Sequence, residues 1–301
     1  MKIGCHVLQW GMAINETTRY TWDGKVHQVS LPMALDDIAS LKFEGFDCSD
    51  SDLIPYFSNA RGFRKIREER GLEFASAWVT LLPKKLAKNE RGTVNPKLPM
   101  SDPNQFLPLA RSRITDKDLK NDFSEKLRYA RKMSEFGSKV ITLGGPFMAR
   151  RDIRDEYYRM MGEFLNSLSE EMKKFGMRPA YHNHLSTLIQ DEDDIEKLYD
   201  HADKKLVGLC MDTAHLTATG FDPVRFVEKY SSRILHVHLK DLFRGKFVEL
   251  GTGKIDLRAV VESLRNHGYD RWVVAELDIP KRTAYQSAQI NREYMASVLG
   301  H

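Results

Sequence analysis

Short apolar runs alternate along the chain with longer amphipathic stretches, the pattern of a parallel α/β fold. Eight runs predict strands, at residues 2–9, 45–49, 73–79, 139–143, 178–184, 207–212, 234–240 and 272–277. The stretches between and after them predict helices over 32–41, 59–70, 121–136, 155–175, 192–201, 223–230, 257–267 and 283–299. Gly45, Gly71, Gly137, Gly176 and Gly268 each follow a helical stretch, where a residue in the left-handed conformation is wanted. Eight strands with eight helices predict a single (β/α)₈ TIM barrel occupying residues 1–301. An open doubly wound sheet would usually carry a glycine-rich phosphate turn after its first strand. Gln9-Trp10-Gly11-Met12 is not one.

Two segments exceed what a minimal barrel needs, and both follow strands, so both are expected on the catalytic face. Residues 11–31 contain Tyr20-Thr21-Trp22-Asp23-Gly24-Lys25-Val26, an Asp-Gly turn between alternating residues that predicts a small hairpin. Residues 84–117 hold Pro96, Pro99, Pro103 and Pro108, too many for a long helix. Lids or subunit contacts are compatible with both, and a plain surface excursion with the second.

Composition alters this picture little. The 301 residues carry 46 Lys and Arg against 42 Asp and Glu, a net charge of +4. That excess is too small to suggest a nucleic-acid surface. Cys5, Cys48 and Cys210 are far apart and form no CxxC pair, so neither a disulfide framework nor a zinc ribbon is expected. No apolar run reaches the length of a membrane span, and the amino-terminal residues read as a strand rather than a signal peptide. These features lead us to expect a cytoplasmic enzyme with a small-molecule substrate, and neither a nucleic acid nor a membrane as partner.

The chemistry gathers at the carboxyl ends of the last four strands. Strand five ends in Tyr181-His182-Asn183-His184, and strand six in Met211-Asp212-Thr213-Ala214-His215. Strand seven reads His236-Val237-His238-Leu239-Lys240-Asp241, and strand eight ends in Ala275-Glu276-Leu277-Asp278. Side chains alternate along a strand, so His182 and His184 share one face, as do His236, His238 and Lys240. Imidazoles and carboxylates converging from adjacent strands make a mixed N/O site suited to Mn²⁺, Zn²⁺ or Co²⁺. A lone histidine at a strand end is usually a hydrogen-bonded packing residue. Four consecutive strand ends that each carry a ligand type are harder to explain that way.

These segments, with Gly251-Thr252-Gly253-Lys254-Ile255-Asp256 and the run from Gly268 to Glu276, resemble the xylose-isomerase-like barrel superfamily. Within it the chain is most similar to inosose dehydratases and related sugar isomerases and epimerases. The resemblance implies that Asp212, His238 and Glu276 bind one divalent metal ion, Mn²⁺ first, with Co²⁺, Zn²⁺ or Mg²⁺ as alternatives. It implies that His215 touches substrate or metal. Many members supply a fourth ligand, a Glu, from a neighbouring strand; here His182 is the nearest candidate, with His184 or Gln190 as alternatives. Asp50 stands where these enzymes usually carry a strand-two Glu, one methylene shorter, and either binds a substrate hydroxyl or caps the next segment. His6 and Trp10 are candidates to line the substrate pocket, although simple packing is the commoner role for such a histidine. Relatives are often dimers or tetramers, so a homo-oligomer is compatible with the resemblance.

The implied activity is proton abstraction beside the carbonyl of a sugar or cyclitol. His184 or His215 would move the proton, and Lys240 would act as a cation facing a substrate oxygen. Lys240 has a competing reading, a salt bridge to Asp241 or Asp212 at the rim. Dehydration of a keto-inositol is the leading outcome; ketose 3-epimerisation, isomerisation and 3-keto-glycoside lysis share the same first step. A DNA-repair phosphodiesterase like endonuclease IV is disfavoured, because residues 242–247 offer no Asp or His for additional metal ions.

Overall fold

The computed structural model describes residues 1–15, 17–20, 25–83 and 110–300. Eight parallel strands close into a barrel: β1 Lys2–His6, β2 Gly45–Ser49, β3 Glu73–Thr80, β4 Val140–Gly144, β5 Arg178–His182, β6 Gly208–Asp212, β7 Ile234–Leu239 and β8 Trp272–Ala275. Each strand pairs with its sequence neighbour, and β1 closes the ring against β8. Eight principal helices surround it: α1 Leu31–Ser40, α2 Ala60–Glu68, α3 Asp116–Phe136, α4 Asp155–Lys173, α5 Glu192–Tyr199, α6 Pro223–Tyr230, α7 Leu257–Asn266 and α8 Ala284–Leu299. All eight predicted strands and all eight predicted helices are present. No helix among the described residues is long and apolar enough to cross a membrane.

The largest boundary difference is the start of α3, five residues before the expected 121. Thr115 forms a reciprocal capping box with Asp118, which satisfies the first-turn amides. The charged run Asp116-Lys117-Asp118 had hidden the helical period. The long segment after β1 forms a three-stranded antiparallel sheet of Met12–Asn15, Thr18–Tyr20 and Val26–His27, one strand more than the hairpin expected there. The Asp23-Gly24 turn itself lies outside the described residues, as does the proline-rich stretch 84–109.

Outward-facing apolar residues of the strands pack on the helices. Between β2, β3 and their helices this layer is aromatic: Phe63 stacks on Phe136 at 4.4 Å and meets Phe74 edge-on at 5.1 Å. The amino-terminal end of the interior is closed by Trp272, which lies so tightly against Gly45 that an added Cβ would fall 2.5 Å from its ring. Gly208 makes room for Leu235 in the same way. Interior packing of this kind makes the barrel a filled core rather than a pore.

Candidate functional site

At the opposite end of the strands the interior becomes polar. His182 ends β5, Asp212 ends β6, His238 lies near the end of β7, and Glu276 immediately follows β8. One donor atom from each lies within 4.8 Å of the others, and all four side chains are buried. His182 Nε2 is 3.1 Å from His238 Nδ1 and 3.6 Å from Asp212 Oδ2. Glu276 Oε2 lies 2.6 Å from His238 Nδ1, but without the alignment of a hydrogen bond. Asp212 Oδ2 is likewise buried with no hydrogen-bond partner. Buried carboxylate oxygens normally find a donor. Two of them aimed into one cluster with two imidazoles suit a divalent cation. Bonds to such ligands are about 2.0–2.2 Å long, so donors sharing one ion lie roughly 3–4.5 Å apart.

The Lys240 ammonium sits on the strand-seven side of this cluster, fully buried. It lies 2.8 Å from Asp278 Oδ2, 3.0 Å from Glu276 Oε1 and 3.8 Å from Asp212 Oδ2. Burial alone would lower its pKa, but these three carboxylates carry it upward and keep it charged. Phe247 lies beneath it, 4.5 Å from ammonium to ring centre. Burial pushes the Asp278 carboxyl up to about 6, against the pull of Lys240. Asp241 is not part of this network. Its carboxylate accepts from the backbone N–H groups of Leu242, Gly251, Gly253 and Ile255. A Cβ at Gly253 would fall 2.0 Å from Asp241 Oδ1, so this glycine permits an approach to Asp241.

His215 reaches the site because Asp212 caps a short helix, Thr213–Ala218, accepting from His215 N at 2.8 Å. Its ring lies 3.9 Å from that of His184, centre to centre. His184 is also flanked by Phe147 and Trp78. Gly144 leaves the space Trp78 fills, since a Cβ there would lie 2.3 Å from the indole nitrogen. Burial, reinforced by the neighbouring His182, pushes the His184 pKa down to about 3. Burial and the neighbouring His184 hold His215 well below its usual value. Both imidazoles are therefore neutral near pH 7, and their partners define the tautomers. His184 Nδ1 is 2.7 Å from Leu185 O and must donate to it, which leaves the lone pair on Nε2. His215 Nδ1 accepts from Leu185 N at 3.3 Å, which puts its proton on Nε2.

His6 also borders the cluster, its ring edge-on to His238 at 5.7 Å, while its Nδ1 caps the following turn by accepting from Leu8 N. The other predicted positions make contacts of their own. Trp10 packs into the hydrophobic core and donates from its indole nitrogen to Asp37 of α1. Asp50 begins a short helix and accepts from Thr80 N at the end of β3. Gln190 accepts from Ser186 N within its own loop. The sequence pattern places His236 on the face of His238 and Asp278 at the end of strand eight but assigns neither a role, and it gives no sign of Asp47. Asp278 shares the face of Glu276 two residues earlier, so strict alternation was a usable signal for it. Asp47 meets its histidines across the barrel, where no local pattern reports it.

A family profile described as xylose isomerase-like TIM barrel matches residues 35–296. The chain is 25% identical over 300 residues to an inosose dehydratase of Clostridium beijerinckii, with 89% of each chain covered. It is 33% identical over 162 residues to an inosose dehydratase of Bacillus licheniformis, covering 47% of this chain and 54% of that one. Among solved structures it is similar to the IOLI protein with a binding zinc atom, at a TM-score of 0.71 and 16% identity, covering 100% of this chain and 98% of that one; this is a likeness of fold. With the barrel closed and the profile matched over most of its length, the chain belongs to the xylose isomerase-like TIM barrel family.

Proposed function

We propose that the protein is a divalent-metal-dependent enzyme that removes a proton beside the carbonyl of a sugar or cyclitol, with dehydration of a keto-inositol as its reaction. The observation that carries this reading is the buried set His182, Asp212, His238 and Glu276, in which Asp212 Oδ2 and Glu276 Oε2 are buried without hydrogen-bond donors. The relatives named inosose dehydratase support the choice of reaction.

The four residues would hold the ion, with Mn²⁺ the first candidate. When bound, it supplies Lewis-acid polarisation of a carbonyl and a neighbouring hydroxyl. The residues around it divide the proton work. His184, neutral and with its lone pair on Nε2, is the base for the proton on the carbon beside the carbonyl. His215 presents an Nε2–H and is the donor to a substrate oxygen, either the one gaining charge or the hydroxyl that departs. The Lys240 charge offsets that of the surrounding carboxylates and stabilises negative charge on the substrate. Trp78 and Phe147 wall the His184 side and keep water from the base.

Metal analysis of the purified protein, followed by NMR in D₂O with keto-inositols and keto-sugars, tests this reading. We expect about one equivalent of a divalent ion, and solvent deuterium entering at the carbon beside the carbonyl. Chelation should abolish both exchange and product. Loss of water identifies a dehydratase, whereas return of the proton to the same or the adjacent carbon identifies an epimerase or an isomerase. Protein that binds no divalent ion and catalyses no exchange overturns the proposal.

A further inference from the structure

Below the four donors, a second buried group spans the barrel. Asp47 lies on β2, and His236 and His238 lie on β7; in the closed sheet, β1 and β8 stand between those strands. The Asp47 side chain therefore crosses the interior to reach them. Its Oδ2 lies 2.7 Å from His236 Nε2 and 3.1 Å from His238 Nε2, and all three residues are buried. An ionised carboxylate only accepts, so both rings present Nε2–H to that one oxygen. For His238 this leaves Nδ1 as the nitrogen that faces His182 and Glu276. The arrangement is costly to the fold. Apolar side chains of similar volume usually fill such a space at equal or better stability, and Asp47 Oδ1 and His236 Nδ1 have no hydrogen-bond partner.

We propose that Asp47 is a positioning residue for the metal centre: it fixes the tautomer and ring orientation of His238 so that Nδ1 is the ligand atom, and His236 holds the carboxylate in place for that task. The inference rests on the metal-centre reading above. A carboxylate behind a ligating imidazole also makes the ring a stronger donor, and removing such a partner typically lowers metal affinity ten- to a hundredfold.

Two measurements on the full chain test it, neither of which reads activity. The first is Co²⁺ and Zn²⁺ affinity, by competition with a chromophoric chelator, for wild type, Asp47→Asn and His236→Gln. Asp47→Asn keeps the shape and removes the charge, and its dissociation constant should rise about ten- to a hundredfold. His236→Gln should weaken binding by a smaller factor, and it serves as the test if Asp47→Asn does not fold. The second is ¹⁵N-histidine NMR of the zinc-loaded wild type, where His238 should be protonated on Nε2 and bound through Nδ1. A folded Asp47→Asn or His236→Gln with wild-type affinity, or a His238 bound through Nε2, overturns the positioning role while leaving the metal centre intact. A wild type that binds neither ion overturns both readings together.

Discussion

The floor and the mouth of the barrel are built from the same eight strands and follow the same alternation of side chains, yet they hold opposite chemistry. At the floor, Trp272 lies against Gly4 and Gly45, and Leu235 against Gly208. A few residues further along, the strands and the residues that directly follow them bury His6, Asp47, His182, Asp212, His238 and Lys240. The floor gains from burial of apolar area and tight contact. The mouth loses solvation of several charges, and mutual attraction only partly offsets that loss. The comparison teaches that stability and chemistry are separable along one strand: the floor should tolerate no change in volume, and the mouth should tolerate changes that end its chemistry.

The largest effect expected is at the mouth. Asp212→Asn keeps the shape and the oxygen that caps His215 N but removes the charge of a proposed ligand. Turnover should fall by about a thousandfold or more, because Lewis-acid stabilisation is worth several kcal/mol. The metal-free protein should keep its unfolding free energy within about 1 kcal/mol, since Lys240 retains Glu276 and Asp278. Urea unfolding in EDTA, beside a turnover assay, reads both numbers. Equal losses in stability and activity would break the separation.

At the floor the pattern should reverse. A Cβ at position 45 meets the Glu73 carbonyl oxygen and the Trp272 ring, each at 2.5 Å. Neither neighbour can swing away, because one is strand backbone and the other is the plug of the barrel. Gly45→Val should cost about 3 kcal/mol of stability by overpacking. The fraction that remains folded should bind metal with wild-type affinity, which calorimetry at low temperature can measure.

The two ends also differed in how far the sequence disclosed them. Histidines and carboxylates at four successive strand ends announced the mouth, because alternation decides which residues share a face. His182, Asp212, His238 and Glu276 were identified that way and with the family resemblance, and the fold brings them together. Asp47 escaped notice because its partners lie on a strand that is not its neighbour, so neither spacing nor pairing reveals them. Trp10 directly follows the predicted first strand, and the turn at residues 7–10 carries it into the core beside α1. The floor was invisible for a simpler reason. Small and large residues that fit one another across a barrel are ordinary apolar strand residues in one dimension.

Between these extremes stands His6, part of the mouth by position and part of the framework by its cap on the next turn. Burial, against the pull of Glu276, lowers its pKa from 6.5 to about 4. The unfolded chain therefore takes up a proton near pH 6.5 that the folded chain refuses until about pH 4. This contribution is complete above pH 6.5 and is lost as the pH falls from there towards 4. Between pH 7 and pH 5 it amounts to about 2 kcal/mol. His6→Asn keeps a side-chain acceptor for Leu8 N and removes the titration. Metal-free wild type should lose about 2 kcal/mol more than this variant over that interval, read from urea midpoints at both pH values.

The smallest effect expected comes from a pair that looks strong by distance. At the floor, Lys2 Nζ approaches Glu73 Oε1 to 2.6 Å, with the side chains 45% and 56% exposed. At the mouth, Lys240 and Glu276 stand 3.0 Å apart with no exposure for the lysine. The shorter pair is the weaker one, because water screens it and both chains lose rotamer freedom to form it. Glu73→Gln should change the unfolding free energy by less than about 0.5 kcal/mol, and 1 M salt should erase even that. Glu276→Gln, by contrast, leaves Lys240 buried with one fewer partner, and salt cannot reach it to compensate. Its effect on the metal-free protein should therefore persist at 1 M salt. A large or salt-resistant effect at Glu73 would mean that distance rather than solvent access sets the strength of these pairs, and the contrast between floor and mouth would fail at its simplest point.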